Sequence, residues 1–245
     1  GPDHPQKEIY EESKHGIAYK AYKDQLNMDS AKWVVGVDYT AAPTCATCHM
    51  GATRKQDSTH NVGERISWTN RPPISVRPEV MDAKMGLASA DLKWDERRKN
   101  MQDVCSACHT EEYVKNFYIQ YDSLIELYNE KYAKPGKALV DAAKPLLKTA
   151  KFANKLDWIW FELWHHEGRR ARMAASMMAP DYTHWHGTYD LAKHFYTKMV
   201  PELEQLIEGG MVSGDPVKQK AAKELQAKLD EVLKSDDHKW YLGQR

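Results

Sequence analysis

Two pentads decide the reading of this chain: Cys45-Ala46-Thr47-Cys48-His49 and Cys105-Ser106-Ala107-Cys108-His109. Each is a C-x-x-C-H string, the attachment signature of a c-type haem. Its two thiols add across the two vinyl groups of the porphyrin, and the histidine that follows becomes the proximal ligand of the iron. The pentads use all 4 cysteines of the chain, so none is left for a disulfide. The competing chemistry is one tetrahedral zinc shared by two C-x-x-C pairs, for which the usual gap is about 15–20 residues. Here the gap is far longer, and histidine follows both pairs. A thioredoxin-like redox pair needs a βαβ setting, which neither motif has.

The chain has 245 residues, enough for one or two domains. It is 42% hydrophobic, yet its mean hydropathy is −0.73, so haem would supply much of the apolar mass. Against 4 phenylalanines stand 13 tyrosines and 8 tryptophans, large apolar bodies with a polar handle that suit a cofactor rim or a subunit interface. Lysine plus arginine and aspartate plus glutamate both total 35, for a formal charge of zero. Haem propionates would move the balance toward negative. No basic tract points to nucleic acid, and no apolar run approaches the ~18 residues of a transmembrane helix. No signal peptide opens the chain. Haem attachment to C-x-x-C-H takes place outside the cytoplasm, so the expectation is a periplasmic or other extracytoplasmic protein, processed or a piece of something longer.

The expected fold class is mainly α, a multihaem cytochrome c. An irregular, haem-wrapping front part (1–110) carries both motifs, and a long-helix bundle (111–245) follows. Residues 8–28 read as one amphipathic helix, with Ile9, Ile17, Ala21 and Leu26 roughly helix-spaced. Residues 50–90 read as irregular, broken at Arg71-Pro72-Pro73 and Arg77-Pro78. Asp91 to Gln102 reads as a helix leading into the second motif. Glu111 to Tyr132 is a helix with Phe117, Tyr121, Leu124 and Leu127 on one stripe, and Pro135-Gly136 marks a turn. Ala138 to Thr149, Asp157 to Met178 (ended by Pro180), His186 to Glu208 (stopped by Gly209-Gly210) and Asp215 to Ser235 complete the series. No strand run is evident.

A haem with two histidine ligands needs one imidazole beyond its motif. Besides His49 and His109, the chain offers a surplus: His4, His15, His60, His165, His166, His184, His186, His194 and His238. His15 precedes Gly16, which permits close approach of a bulky group. His60 lies in Thr59-His60-Asn61, and His165-His166 and His184-x-His186 are pairs. His194 and His238 read as surface positions.

The strings GPDHPQ (1–6), YEESKHG (10–16), APTCATCHM (42–50), RISWTNRP (65–72) and WHHEGRRARMAASMMAPDYTHWHG (164–187), with the second motif, resemble the C-terminal half of the octahaem hydroxylamine oxidoreductase family. In that family seven haems have two histidine ligands and pass electrons. The eighth is modified and five-coordinate and binds substrate. A tyrosine of the C-terminal half bonds covalently to that haem in a neighbouring subunit of a trimer. The resemblance assigns that role to Tyr182, and to Asp3 and His4 that of the aspartate–histidine pair on the open face of the same haem. It offers His15, His60, one of His165/His166, and His186 as distal ligands. By similarity to the related pentahaem nitrite reductases, His15 would serve the haem on His109, His60 a haem elsewhere, and a bundle histidine the haem on His49.

The departure from the family is large, because only two motifs are present and both resemble the last of the eight. The catalytic haem would come from another chain or a missing region. The resemblance thus implies a piece or subunit of a hydroxylamine or hydrazine oxidoreductase carrying two haems c. A further modified haem would be supplied from elsewhere. Its partners would be a small inorganic nitrogen substrate, an electron-accepting cytochrome, and a trimeric or companion haem-bearing assembly. The alternative is a dihaem electron-transfer cytochrome with no substrate of its own. A bundle serving mainly trimer assembly is a third reading.

Overall fold

The computed structural model describes residues 4–86 and 92–244; Asp3 and Asp91 lie outside the described residues. The fold is mainly α. Among the described residues, strand pairing is limited to two isolated bridges, Val35 with Tyr39 and Thr69 with Val76. Among the described residues, no helix is long and apolar enough to cross a membrane. Two compact units emerge.

The first unit comprises residues 5–124 with 173–182. The helix expected over 8–28 is divided: α1 (Gln6–Glu12) and α2 (Lys14–Tyr22) meet at Ser13. Ser13 is extended (φ −72°, ψ 158°), and its Oγ accepts from Gly16 N at 3.1 Å, a side-chain cap that starts the second helix. α3 (Cys45–His49) is the first motif itself. The stretch read as irregular contains a short helix, α4 (Pro78–Lys84), because proline is well tolerated in a first helical turn. α5 (Trp94–Ser106) runs further than expected and takes Cys105 into its last turn. The irregular chain between α3 and α5 is anchored on Asp122, which accepts from Trp68 Nε1 (2.7 Å) and from Arg98 (2.6 Å). Arg77 stacks over Trp68 and Trp94 at 3.7 and 3.8 Å. Leu26, Val35, Tyr39, Ala42 and Val104 form a small core.

The second unit comprises His4, 125–172 and 183–244. α6 (Glu111–Tyr128) begins in the first unit, where it buries Val114, Tyr118 and Tyr121, and enters the second at Ile125, which is buried with Tyr128. The stripe read from sequence was displaced, and its Leu127 is exposed. Pro135-Gly136 is not a turn. The helix widens into a π segment (Asn129–Ala133) and continues as α7 (Lys134–Ala143). α8 (Lys155–Phe161) passes through a π segment (Glu162–Glu167) into α9 (Gly168–Ser176). Pro180 does not follow a stop but opens α10 (Pro180–Tyr182), which continues through Thr183–Thr188 into α11 (Tyr189–His194). A fourth π segment (Phe195–Met199) leads into α12 (Val200–Met211). Gly209 and Gly210 lie inside α12, and a Cβ on Gly210 would fall 2.7 Å from Ala222 Cβ, so that glycine seats α13 (Pro216–Leu233). Asp215 caps α13 and Leu225, Leu229 and Leu233 are buried, as their spacing indicated.

The first π segment has a physical cause at Pro135. Proline cannot donate to the carbonyl four residues back and its ring crowds that oxygen. The carbonyl is that of Lys131, and it accepts instead from His238 Nε2 at 2.9 Å. His238 Nδ1 in turn accepts from Tyr196 Oη at 2.8 Å, which fixes the tautomer. His238, read as a surface residue, is therefore buried, at 1% exposure. His194 also departs from that expectation: its Nδ1 lies 2.6 Å from Glu167 Oε1. Both corrections arise because a polar side chain that meets partners across the fold buries readily.

Burial pushes the His238 imidazole below its ordinary value, and the hydrogen bond to Lys131 offsets only part of this. The folded state keeps the ring neutral where an unfolded chain, titrating near about 6.5, takes up a proton. This contribution to stability is complete above about pH 6.5 and is lost as pH falls through the lowered folded value. His238→Phe, which removes the imidazole partner of the Lys131 carbonyl and of the Tyr196 hydroxyl, is expected to cost about 2 kcal/mol and to flatten that pH dependence. Chemical denaturation between pH 5 and 8 checks both effects.

Candidate haem sites

The two motifs have the same pattern but are built differently. The first starts a helix. Thr44 caps it, with Thr47 N donating to Thr44 Oγ1 (3.2 Å) and Thr44 N donating to Thr47 Oγ1 (3.0 Å). Thr47 is fully buried and also bonds Tyr39 Oη at 2.7 Å. The second motif ends a helix: Cys105 closes α5, and His109 N reaches back to Cys105 O at 3.0 Å. α3 packs on α5, and Cys48 lies within electrostatic reach of Cys105 and Cys108. The two attachment points are therefore neighbours.

Burial pushes the Cys48 thiol up to about 12 and the Cys105 thiol up to about 11, while Cys45 and Cys108 are exposed. Zinc would need converging thiolates. Among the described residues, no group of three or more His, Cys, Asp or Glu side chains is assembled for a metal ion.

The residues fit haem c. The rings of His15 and His109 lie with centres 6.1 Å apart and planes inclined at 43°. Metal–imidazole bonds are about 2.0 Å long, so two rings facing across one metal have centres about 6 Å apart. The Ser13 break places His15 there. Burial, then the neighbouring His109, lowers the His15 pKa; burial, then Arg65, lowers that of His49. Both stay in the neutral form that ligates iron. His49 Nδ1 is buried without a hydrogen-bond partner among the described residues. An open groove of about 640 Å³ lies over His109, edged by Lys55, Lys99, Asp103, Glu111 and Lys115, a size within the range of cofactor sites.

The remaining candidates are dispersed. In the first unit, His60 is exposed on the irregular chain after α3. Tyr182 is buried at 8% exposure with Ile9, Ala174 and Ala179. In the second unit, His165 and His166 share the π segment Glu162–Glu167, and His186 is exposed on the π segment Thr183–Thr188. Such bulges re-aim side chains and recur at functional sites. His165 stacks on Phe161 (4.3 Å), and its Nε2 accepts from Arg169 at 2.8 Å. The ring of exposed His4 lies 6.3 Å from that of His165, at 85°. Asp3, its expected partner, lies outside the described residues.

Sequence reasoning passed over Arg65, which is 3% exposed. Its Nη1 donates to the carbonyls of Thr47 (3.3 Å) and Cys48 (3.2 Å), and its Nη2 to that of Gly51 (2.7 Å). It also treated Thr44 and Thr47 as spacers, although Thr-x-x-Thr ahead of a short helix is a capping signal.

The family described as "Seven times multi-haem cytochrome CxxCH" matches residues 1–142. A curated relative, a probable nitrite reductase-hydroxylamine oxidoreductase fusion protein of Kuenenia stuttgartiensis, is 32% identical over 130 residues, which are 46% of this chain and 15% of the relative. A solved structure of a hypothetical multiheme protein superposes with a TM-score of 0.71 at 23% identity, covering 87% of this chain and 54% of that one. A chain of the reducing HAO-like protein complex of K. stuttgartiensis superposes with a TM-score of 0.61 at 16% identity, covering 93% and 56% respectively. The chain thus spans about half the length of these structural neighbours and a smaller share of the curated relative.

The junction that presents His15 depends on Gly16, where a Cβ would fall 1.8 Å from Tyr10 O. Gly16→Ala is expected to lower the thermal midpoint and move His15 away from His109, converting part of that iron to high spin in electron paramagnetic resonance. Gly209→Ala, where a Cβ meets nothing within 4 Å, is the control expected to leave the spectrum unchanged.

Proposed function

The chain belongs to the multihaem cytochrome family that binds haem c covalently at C-x-x-C-H, and on that premise we propose that it is an electron-passing part of a hydroxylamine or hydrazine oxidoreductase. The observation that carries the electron-passing role is the proximity of His15 and His109 at 6.1 Å. Haem c, when bound, would supply a one-electron carrier, and an iron held by two imidazoles would have no position for substrate. Cys45, Cys48, Cys105 and Cys108 would tether the two haems, His49 and His109 would each hold one iron, and His15 would be the second ligand at the haem on His109. His60, His165, His166 and His186 are the candidates for the remaining distal positions.

The oxidoreductase reading draws on the fusion-protein relative. In it, His4 collects protons as substrate is oxidised, an imidazole nitrogen being able both to accept and to release a proton, and Asp3 orients it. Tyr182 bonds to a modified haem held by another chain or region, in a trimeric or companion-bearing assembly. An acceptor cytochrome takes the electrons, in the extracytoplasmic compartment where this attachment chemistry occurs. A second reading, a dihaem carrier with no substrate, is favoured by the packing of Tyr182 among Ile9, Ala174 and Ala179, from which the ring would have to emerge to form a cross-link.

His15→Ala is expected to turn one of the two haems high-spin. A spectrum that stays entirely low-spin would remove His15 as a ligand. Intact-mass analysis of native material separates the two readings. The oxidoreductase predicts a Tyr182 adduct, a companion polypeptide with further C-x-x-C-H sites and a red-shifted reduced absorption band. The dihaem carrier predicts two haems and nothing more.

A further inference from the structure

Arg65 differs from the other buried arginines of the first unit in its charge balance. Arg97 pairs with Asp82 at 2.8 Å and Arg98 with Asp122 at 2.6 Å. No carboxylate among the described residues lies within ion-pair distance of Arg65, and its Nε is buried without a hydrogen-bond partner among them. All of its contacts are carbonyls at the C-terminal end of α3 (Thr47, Cys48) and just beyond it (Gly51). That is where the helix dipole is negative and a cation is held. A buried cation without an ion pair is costly unless hydrogen bonds and more distant charges offset its desolvation; here the three carbonyls do so, with Asp103 and Glu64 acting at longer range.

We infer that Arg65 is a positioning residue for the first motif and gives the haem on Cys45 and Cys48 the higher reduction potential of the two. Its three carbonyl contacts fix the end of α3 and so the direction of His49. Its charge, in a poorly solvated setting, disfavours the ferric iron relative to the ferrous one, which carries one positive charge fewer. The cations beside the second motif are of another kind. The lysines along its groove are exposed, Lys55 at 82% and Lys99 at 74%, so salt and water screen them. Asp103, which takes hydrogen bonds from Thr53 (2.6 Å) and Gln56 (2.7 Å) and pairs with Lys55 (3.8 Å), puts a carboxylate on that groove, and its field also reaches Arg65. One electron shared by the pair therefore rests mainly at the first haem, one iron being reduced as the other is oxidised.

The test is a mediated redox titration of the purified holoprotein, followed by visible absorption, with haem stoichiometry measured for every variant. Arg65→Met is expected to weaken reduction of the higher-potential component about tenfold, about 59 mV for a one-electron couple, and to leave the lower component in place. Arg65→Lys keeps the charge and is expected to shift it much less. Glu64→Gln removes a carboxylate whose field reaches Arg65 and should move the same component the opposite way; it remains decisive if Arg65→Met takes up no haem. Four outcomes would overturn the inference: no shift in the variants, a shift of the lower component, equal shifts of both, or Arg65→Lys moving as far as Arg65→Met.

Discussion

Covalent attachment at C-x-x-C-H is the constraint on which the first unit depends. A porphyrin tied at two thiols and held below by the next histidine brings its own apolar surface and fixes its own place. The surrounding chain is then free of the usual requirement for a large regular core. The small Leu26–Val35–Tyr39–Ala42–Val104 cluster fits this economy, as does the stretch between α3 and α5, whose only helical pieces among the described residues are a short 3-10 turn (Val62–Arg65) and α4 and which is fixed by polar contacts.

Those contacts follow one pattern, in which a buried charged or polar side chain satisfies backbone or side-chain partners that regular structure would otherwise serve. Asp122 gathers Trp68 and Arg98, and Arg65 gathers the carbonyls at the end of α3. In the second unit, His238 satisfies the carbonyl that Pro135 leaves without a donor. Leaving any such group unpaired costs about 1–3 kcal/mol, comparable to removing a substantial part of a core side chain. The histidines meant for haem and the one that braces the fold are thus distinguished only by their partners.

The second unit keeps its helices continuous across Pro135 and Pro201 by widening them just upstream, at Asn129–Ala133 and Phe195–Met199. Two further π segments carry His165, His166 and His186. An extra residue in a turn rotates every later side chain around the helix axis, so an apolar stripe counted at 3.6 residues does not carry across such a segment.

Sequence alone determined what depends on local chemistry. The C-x-x-C-H strings specified haem attachment, helix formers specified a mainly α chain, and Asp215 with the Leu225, Leu229 and Leu233 spacing specified α13. Tertiary structure decided what depends on neighbours distant in the chain. The same pentad starts one helix and ends another because the caps lie outside it. Ser13 breaks a segment whose apolar spacing reads as one helix, and that break brings His15 beside His109. His238 is buried, and Gly210 packs instead of terminating, because Tyr196, Lys131 and Ala222 meet them across the fold. Periodicity records which face of a segment is apolar; it carries no information about which distant group will satisfy a buried nitrogen or carbonyl.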